Sequence, residues 1–131
     1  LANGDIDALC SNHSPIDDDA KQVPFSEAEP GATGIELLLP LALKWGQGHK
    51  LSLLETLRRV TINPARIIGS KAGQLSLGAR ADICIFDAEG ETTVTRERLR
   101  SQGKNTPFLG LNLPGKVCYT VVEGKVMYAE P

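Results

Sequence analysis

Ile6-Asp7-Ala8-Leu9-Cys10-Ser11-Asn12-His13-Ser14-Pro15-Ile16 is a short apolar run that ends in a cluster of small polar groups. A buried strand running into Ser-Asn-His-Ser-Pro is what a parallel α/β barrel presents at a strand's carboxyl end, where the backbone aims side chains into the mouth of the site. The strand is predicted from Ile6 to Ser11, after the turn Asn3-Gly4-Asp5. Any chemistry that the chain carries is therefore expected beside Asn12.

At 131 residues the chain is long enough for one ordinary domain, and too short for a whole barrel of about 250 residues. A formal net charge of -2 gives no electrostatic reason to invoke nucleic acid or an anionic membrane as partner. The longest apolar run, Ile35 to Leu43, is interrupted by Glu36 and Pro40 and falls far short of the roughly 20 residues of a spanning helix. Cys10, Cys84 and Cys118 are odd in number, widely spaced and each set in an apolar run, which predicts buried, reduced core thiols and a cytosolic compartment. No signal sequence is legible, so the glycosylation sequon at Asn12-His13-Ser14 carries no weight. Without an initiator Met, the chain reads as a piece of a longer one.

Asp17-Asp18-Asp19 lacks the alternation and fixed glycine of a calcium loop and reads as solvated. Pro24-Phe25, Pro30-Gly31 and Gly34 mark a long irregular crossing, and such segments in a compact domain are usually functional or disordered. Ile35, Leu38, Leu39, Ala42 and Trp45 recur at helical spacing and predict a helix over 35–46, with Pro40 as a kink or late in its first turn. Trp45 is expected to pack rather than to stack on a ligand. His49 has no other donor at ligand spacing and is expected to hold no metal. Ser52 with Glu55 reads as a capping box that opens a helix whose buried stripe is Leu53, Leu54, Leu57 and Val60. A break is expected before Pro64, since the residue ahead of a proline avoids helical geometry.

From Gly73 the period changes to two. A buried strand is predicted at Ile83 to Asp87, a short one at Thr92 to Thr95, and a hairpin over Gly115 to Tyr128 about the Glu123-Gly124 turn. Asp82 reads as a satisfied structural carboxylate, and Arg96-Glu97-Arg98-Leu99-Arg100 as a solvated helical turn.

These runs resemble the dihydroorotases and related cyclic amidohydrolases. The opening stretch is similar to that family's last barrel strand, which reads roughly Asp-His-Ala/Ser-Pro-His. Pro24-Phe25-x-x-Ala28-x-x-Gly31-x-x-Gly34 looks like the loop whose backbone contacts the dihydropyrimidine ring. Thr61-x-Asn63-Pro64-Ala65-Arg66, Gly73-x-Leu75-x-x-Gly78-x-x-Ala81-Asp82 and Ser101-x-Gly103-Lys104-Asn105-Thr106-Pro107-Phe108 match further runs common in the group, so the resemblance covers nearly the whole chain. It implies an α/β fold: the C-terminal part of an amidohydrolase (β/α)8 barrel, its last strand and closing helices, over residues 1–70. Residues 71–131 would supply the C-terminal half of a small β-sandwich, with the 101–108 loop packing back on the barrel.

In that family the aspartate of the motif is a metal-site ligand and general base, and the histidine after the proline contacts substrate. Those places hold Asn12 and Ile16 here. A carboxamide does not accept a proton near neutral pH, and losing a general base alone removes a factor of roughly 10² to 10⁴. Asp17 lies one residue beyond the missing histidine, and a displacement of even about 1 Å is costly in catalysis. Pro30 and Gly31, which would act through their backbone, are the substrate-binding positions that still match. Active members use zinc; a chain with two histidines is expected to hold no metal by itself, because a zinc site takes at least three protein ligands.

The leading expectation is therefore an inactive dihydroorotase-like homologue. The resemblance implies for such forms a cytoplasmic role in pyrimidine synthesis as structural partners of aspartate transcarbamoylase. An active zinc-dependent cyclic amidohydrolase, interconverting carbamoyl aspartate and dihydroorotate when full length, is the alternative. An independent small binding module is a third reading. Barrel helices without their sheet would bare the stripes of Ile35, Leu39 and Leu57, so residues 1–131 alone are predicted to self-associate. Light scattering checks this: a mass above that of one chain is expected, and a monodisperse monomer contradicts it.

Overall fold

The computed structural model describes residues 1–130. Its helical half begins with a single 3-10 turn, Ile35–Leu37, that leads into α1, Leu38–Gly48. Pro40 is the third residue of α1, within the first turn, where a missing N–H breaks no helical hydrogen bond. The next helix, α2, spans Leu53–Arg58 and is opened by a complete capping box. The Ser52 hydroxyl accepts from Glu55 N at 3.2 Å, and the Glu55 carboxylate accepts from Ser52 N at 3.0 Å. The helix α3, Ile62–Ile67, restarts after a break that falls before Ile62 and not at Asn63 as expected: Asn63 is helical, and Pro64 sits in the first turn, where its missing N–H costs no helical bond. Gly46 lets α1 meet α2: a Cβ there would collide with the Thr56 side chain, which is buried beneath it.

Three antiparallel strands follow in the order β1-β2-β3, with β1 at Ile83–Thr93, β2 at Asn112–Val122 and β3 at Lys125–Ala129. The predicted short strand at 92–95 is the far end of β1, which Leu113 and Asn112 continue to pair. The hairpin turns on Glu123 (φ 50°) and Gly124 (φ 78°), the two left-handed residues that match the twist of its strands. Asp82 fastens that turn to the start of β1. Its carboxylate accepts from Glu123 N at 2.9 Å and pairs with Arg80 at 2.6 Å, while Gly124 N donates to Ala81 O at 3.0 Å.

The core forms where the two halves meet. Leu37 packs with Val94, Leu99 and Leu113, and Leu41 and Phe108 cover the cluster from outside. Gly115 has φ 89°, and a Cβ on it would strike Leu43, so α1 seats directly on the β2 backbone. The fold is thus α/β, with its helices gathered against a small antiparallel sheet.

Four expectations require correction. The Ile6–Ser11 run is extended but joins no sheet among the described residues, and Ile6 is 58% exposed. A strand needs a neighbour to satisfy its backbone, and this one has Leu9 N bonded to Arg59 O at the end of α2 instead. The supposed buried stripe of α2 is open at Leu53 and Leu54, because α2 turns Thr56 toward α1. Cys10 and Cys84 are exposed residues and Cys118 is half-buried; all three are free of disulfides. The Ile83–Asp87 strand is not buried: Cys84 and Ile85 are exposed, and Ile83 and Phe86 are only half-buried.

The Asp82 latch has a pH signature. The Glu123 N–H donated to the charged carboxylate, and secondarily the Arg80 guanidinium, hold its carboxyl below the ordinary 3.8. A folded value below the unfolded one means that the latch contributes fully above the ordinary value and is lost as pH falls through the folded one. In the full-length protein, urea midpoints should fall as pH drops from about 5 toward 2, and Asp82→Asn should flatten part of that fall. Parallel pH profiles for the two proteins would contradict the assignment.

Candidate functional site

Asn12 sits at φ 44°, a left-handed conformation that asparagine tolerates better than most residues, and it is exposed. The turn it makes swings His13 inward. His13 Nδ1 accepts from Gly34 N at 3.1 Å and from Ile35 N at 3.3 Å. A ring nitrogen that accepts two N–H groups carries no proton, so the ring's proton is on Nε2. His13 thereby caps the amino end of the turn that leads into α1 and is committed to holding two loops together.

Those loops run backbone against backbone. Ser14 N donates to Ala32 O at 3.0 Å. A Cβ on Gly34 would lie 2.8 Å from Ser11 O, and one on Gly31, where φ is 139°, would lie 2.6 Å from Ser14 O and 2.8 Å from Ile16 Cγ1. Glycine is required at 31 on both counts, conformation and space. Ile16 is half-buried, its side chain filling the space against Gly31. Pro30 is exposed beside it.

A third segment closes over the pair. A Cβ on Gly103 would lie 2.8 Å from Ile16 O and 3.0 Å from Ile16 N. Thr33, fully buried, donates from its N to Asn105 O at 2.7 Å and from its hydroxyl to Gly103 O. Asn105 Nδ2 donates to Gly31 O at 3.2 Å. The loop at 101–108 packs back on the first half of the chain, and what it touches is the site segment itself. Asn12, Ile16, Pro30 and Gly31 therefore belong to one neighbourhood, in which the Gly31 carbonyl is already occupied by Asn105. Thr33, Gly103 and Asn105 complete it. Gly103 and Asn105 stood in a recognisable signature, but their sequence separation from Gly31 gave no sign of contact.

The neighbourhood does not fit a zinc ion by its own donors. Among the described residues no three His, Cys, Asp or Glu side chains come together in a way that could hold a metal. One histidine has its Nδ1 engaged, and the other, His49, lies with its ring 5.3 Å from that of Trp45 at the end of α1. Of the three neighbouring aspartates, Asp18 is paired with Arg96. A cavity of about 540 Å³ lies elsewhere, between the start of α1, the segment after β1 and the β2 face; Leu37, Arg100, Leu113 and Tyr128 line it. No helix among the described residues is long and apolar enough to cross a membrane.

The family model described as Amidohydrolase family matches residues 44–128. A dihydroorotase-like protein of Pseudomonas aeruginosa is 43% identical over 128 residues, which is 98% of this chain and 30% of that protein. A dihydroorotase of Geotalea daltonii is 41% identical with the same coverage of each. Among solved structures, an L-hydantoinase (dihydropyrimidinase) from Arthrobacter aurescens superposes with a TM-score of 0.83 at 32% identity, over 98% of this chain and 30% of that one. The chain thus spans 30% of the length of the curated relatives that it matches.

The packing around Gly31 and Gly103 makes a stability prediction. Gly31→Ala and Gly103→Ala should each cost about 1–3 kcal/mol in chemical denaturation of the full-length protein, from steric conflict with Ser14 and Ile16. Gly48→Ala, where a Cβ meets nothing within 4 Å, is the control and should change little.

Proposed function

The chain belongs to the amidohydrolase family, and on that footing we propose that it is the C-terminal portion of a dihydroorotase-like protein that does not catalyse. The observation that carries this reading is the pair Asn12 and Ile16. Where the family's motif places a carboxylate base, Asn12 presents an exposed carboxamide on a left-handed turn. It neither accepts a proton near neutral pH nor brings negative charge toward a metal. Where the motif places a substrate-contacting histidine, Ile16 is packed against Gly31. An aliphatic side chain there offers a substrate carboxylate neither a hydrogen bond nor a charge.

On this reading, residues 1–70 complete a barrel whose other strands and metal ligands lie on the remainder of the protein, and residues 71–131 contribute half of a β-sandwich. The unpaired Ile6–Ser11 segment and the exposed apolar residues of α2 and α3, Leu53, Leu54, Ile67 and Ile68, are consistent with surfaces meant to be covered. The role that follows is cytoplasmic and structural: a scaffold for aspartate transcarbamoylase in pyrimidine synthesis. The family resemblance supports this choice of partner, and the missing base supports a role other than turnover.

A second reading keeps the activity. Gly31 retains the glycine-only conformation of the ring-contacting loop, which would suit an active cyclic amidohydrolase working with an altered base. Assaying the purified full-length protein separates the two. The scaffold reading expects no hydrolysis of dihydroorotate with or without added zinc, and co-elution with aspartate transcarbamoylase on size exclusion. Chelator-sensitive turnover would refute it in favour of the second reading.

A further inference from the structure

Gly31 has no side chain of its own to lock its peptide planes, its φ of 139° is one that few other residues adopt, and Ser14 and Ile16 press on one side of it only. What restrains it comes from far along the chain. Across residues 31–33, three hydrogen bonds run to residues 103–105: Gly31 O accepts from the Asn105 side chain at 3.2 Å, Thr33 N donates to Asn105 O at 2.7 Å, and the Thr33 hydroxyl donates to Gly103 O. Thr33 is wholly buried, so its donors are met there and not by solvent.

The loop that supplies these partners is itself anchored at its root. The Glu36 carboxylate, at the entry to α1, accepts from Arg100 N and Ser101 N at 2.7 Å each, and Lys104 Nζ donates to Leu99 O at 2.6 Å. Gly103 then brings the loop within van der Waals reach of the Ile16 backbone. The peptide on either side of Gly31 is therefore set by a loop that emerges from the sheet half of the chain. Rotating it would break the Asn105 bond and press Gly31 on Ser14.

We propose that Asn105 and Thr33 are positioning residues for the Pro30–Gly31 backbone, so that the loop at 103–105 sets the affinity of that segment for a cyclic amide whose ring N–H and C=O groups meet main-chain partners. This rests on the reading of Pro30 and Gly31 as ligand contacts. It requires no turnover: a protein without a base still binds a ring through its backbone if that backbone is held in place.

The test uses the full-length protein, calorimetry with dihydroorotate and with the uncharged ring dihydrouracil, and amide hydrogen exchange over residues 31–34. Asn105→Asp keeps the size of the side chain and turns the donor facing Gly31 O into an acceptor; Asn105→Ala removes it. Each should weaken ring binding roughly tenfold, the scale of one lost hydrogen bond. Each should also speed exchange at 31–34 while leaving exchange in β1 to β3 unchanged, with no more than the small fall in melting temperature that one lost hydrogen bond brings. Thr33→Val should behave alike, and Thr33→Ser should restore both readouts. Wild-type affinity and exchange in the Asn105 variants would overturn the positioning role. Failure of the wild-type protein to bind either ring would instead overturn the ligand-contact reading on which it rests.

Discussion

The site region depends on how closely three stretches of backbone approach one another. Residues 11–16, 31–35 and 103–105 meet at main-chain distances that no Cβ would permit at Gly31, Gly34 or Gly103. Once side chains are excluded from a seam, its polar groups must be satisfied by one another, and they are. Ser14 N finds Ala32 O, Thr33 N finds Asn105 O, and the His13 ring takes the two N–H groups left at the amino end of the turn entering α1. The glycines create the proximity and the hydrogen bonds make it specific. Asn12 and Ile16 hang from this seam, so their positions are consequences of it.

This changes what the departures from the family motif mean. Replacing a substrate-contacting histidine by isoleucine removes a polar group, but it also adds an aliphatic side chain that packs on Gly31. Ile16 thereby supplies packing to the joint. His13 shows the complementary case: the type most often read as a ligand or a base is here occupied in capping backbone. Residue identity alone does not distinguish these roles, because imidazole serves both equally well.

What was legible in the sequence follows the range of the interaction. The Ser52-Glu55 capping box, the Glu123-Gly124 turn and the placement of Pro40 in a first turn are set by residues a few positions apart, and each took its expected form. The unpaired 6–11 segment and the exposure of Leu53, Leu54, Cys10 and Cys84 are not legible in the sequence, because burial depends on what lies across from a residue and hydrophobicity records only what would benefit from cover. The site was half legible. Asn12 and Ile16 stand in one recognisable motif and Pro30 and Gly31 in another, whereas the partnership of Asn105 with Gly31 joins positions too far apart for any local pattern to register.

The seat of Leu37 among Val94, Leu99 and Leu113 bears on how this molecule comes into being. The turn that carries Leu37 cannot close this cluster until residues 94–113 have been made, so the contact joins positions far apart in the chain and forms late. Assembly of this region is thus a late, nearly all-at-once event.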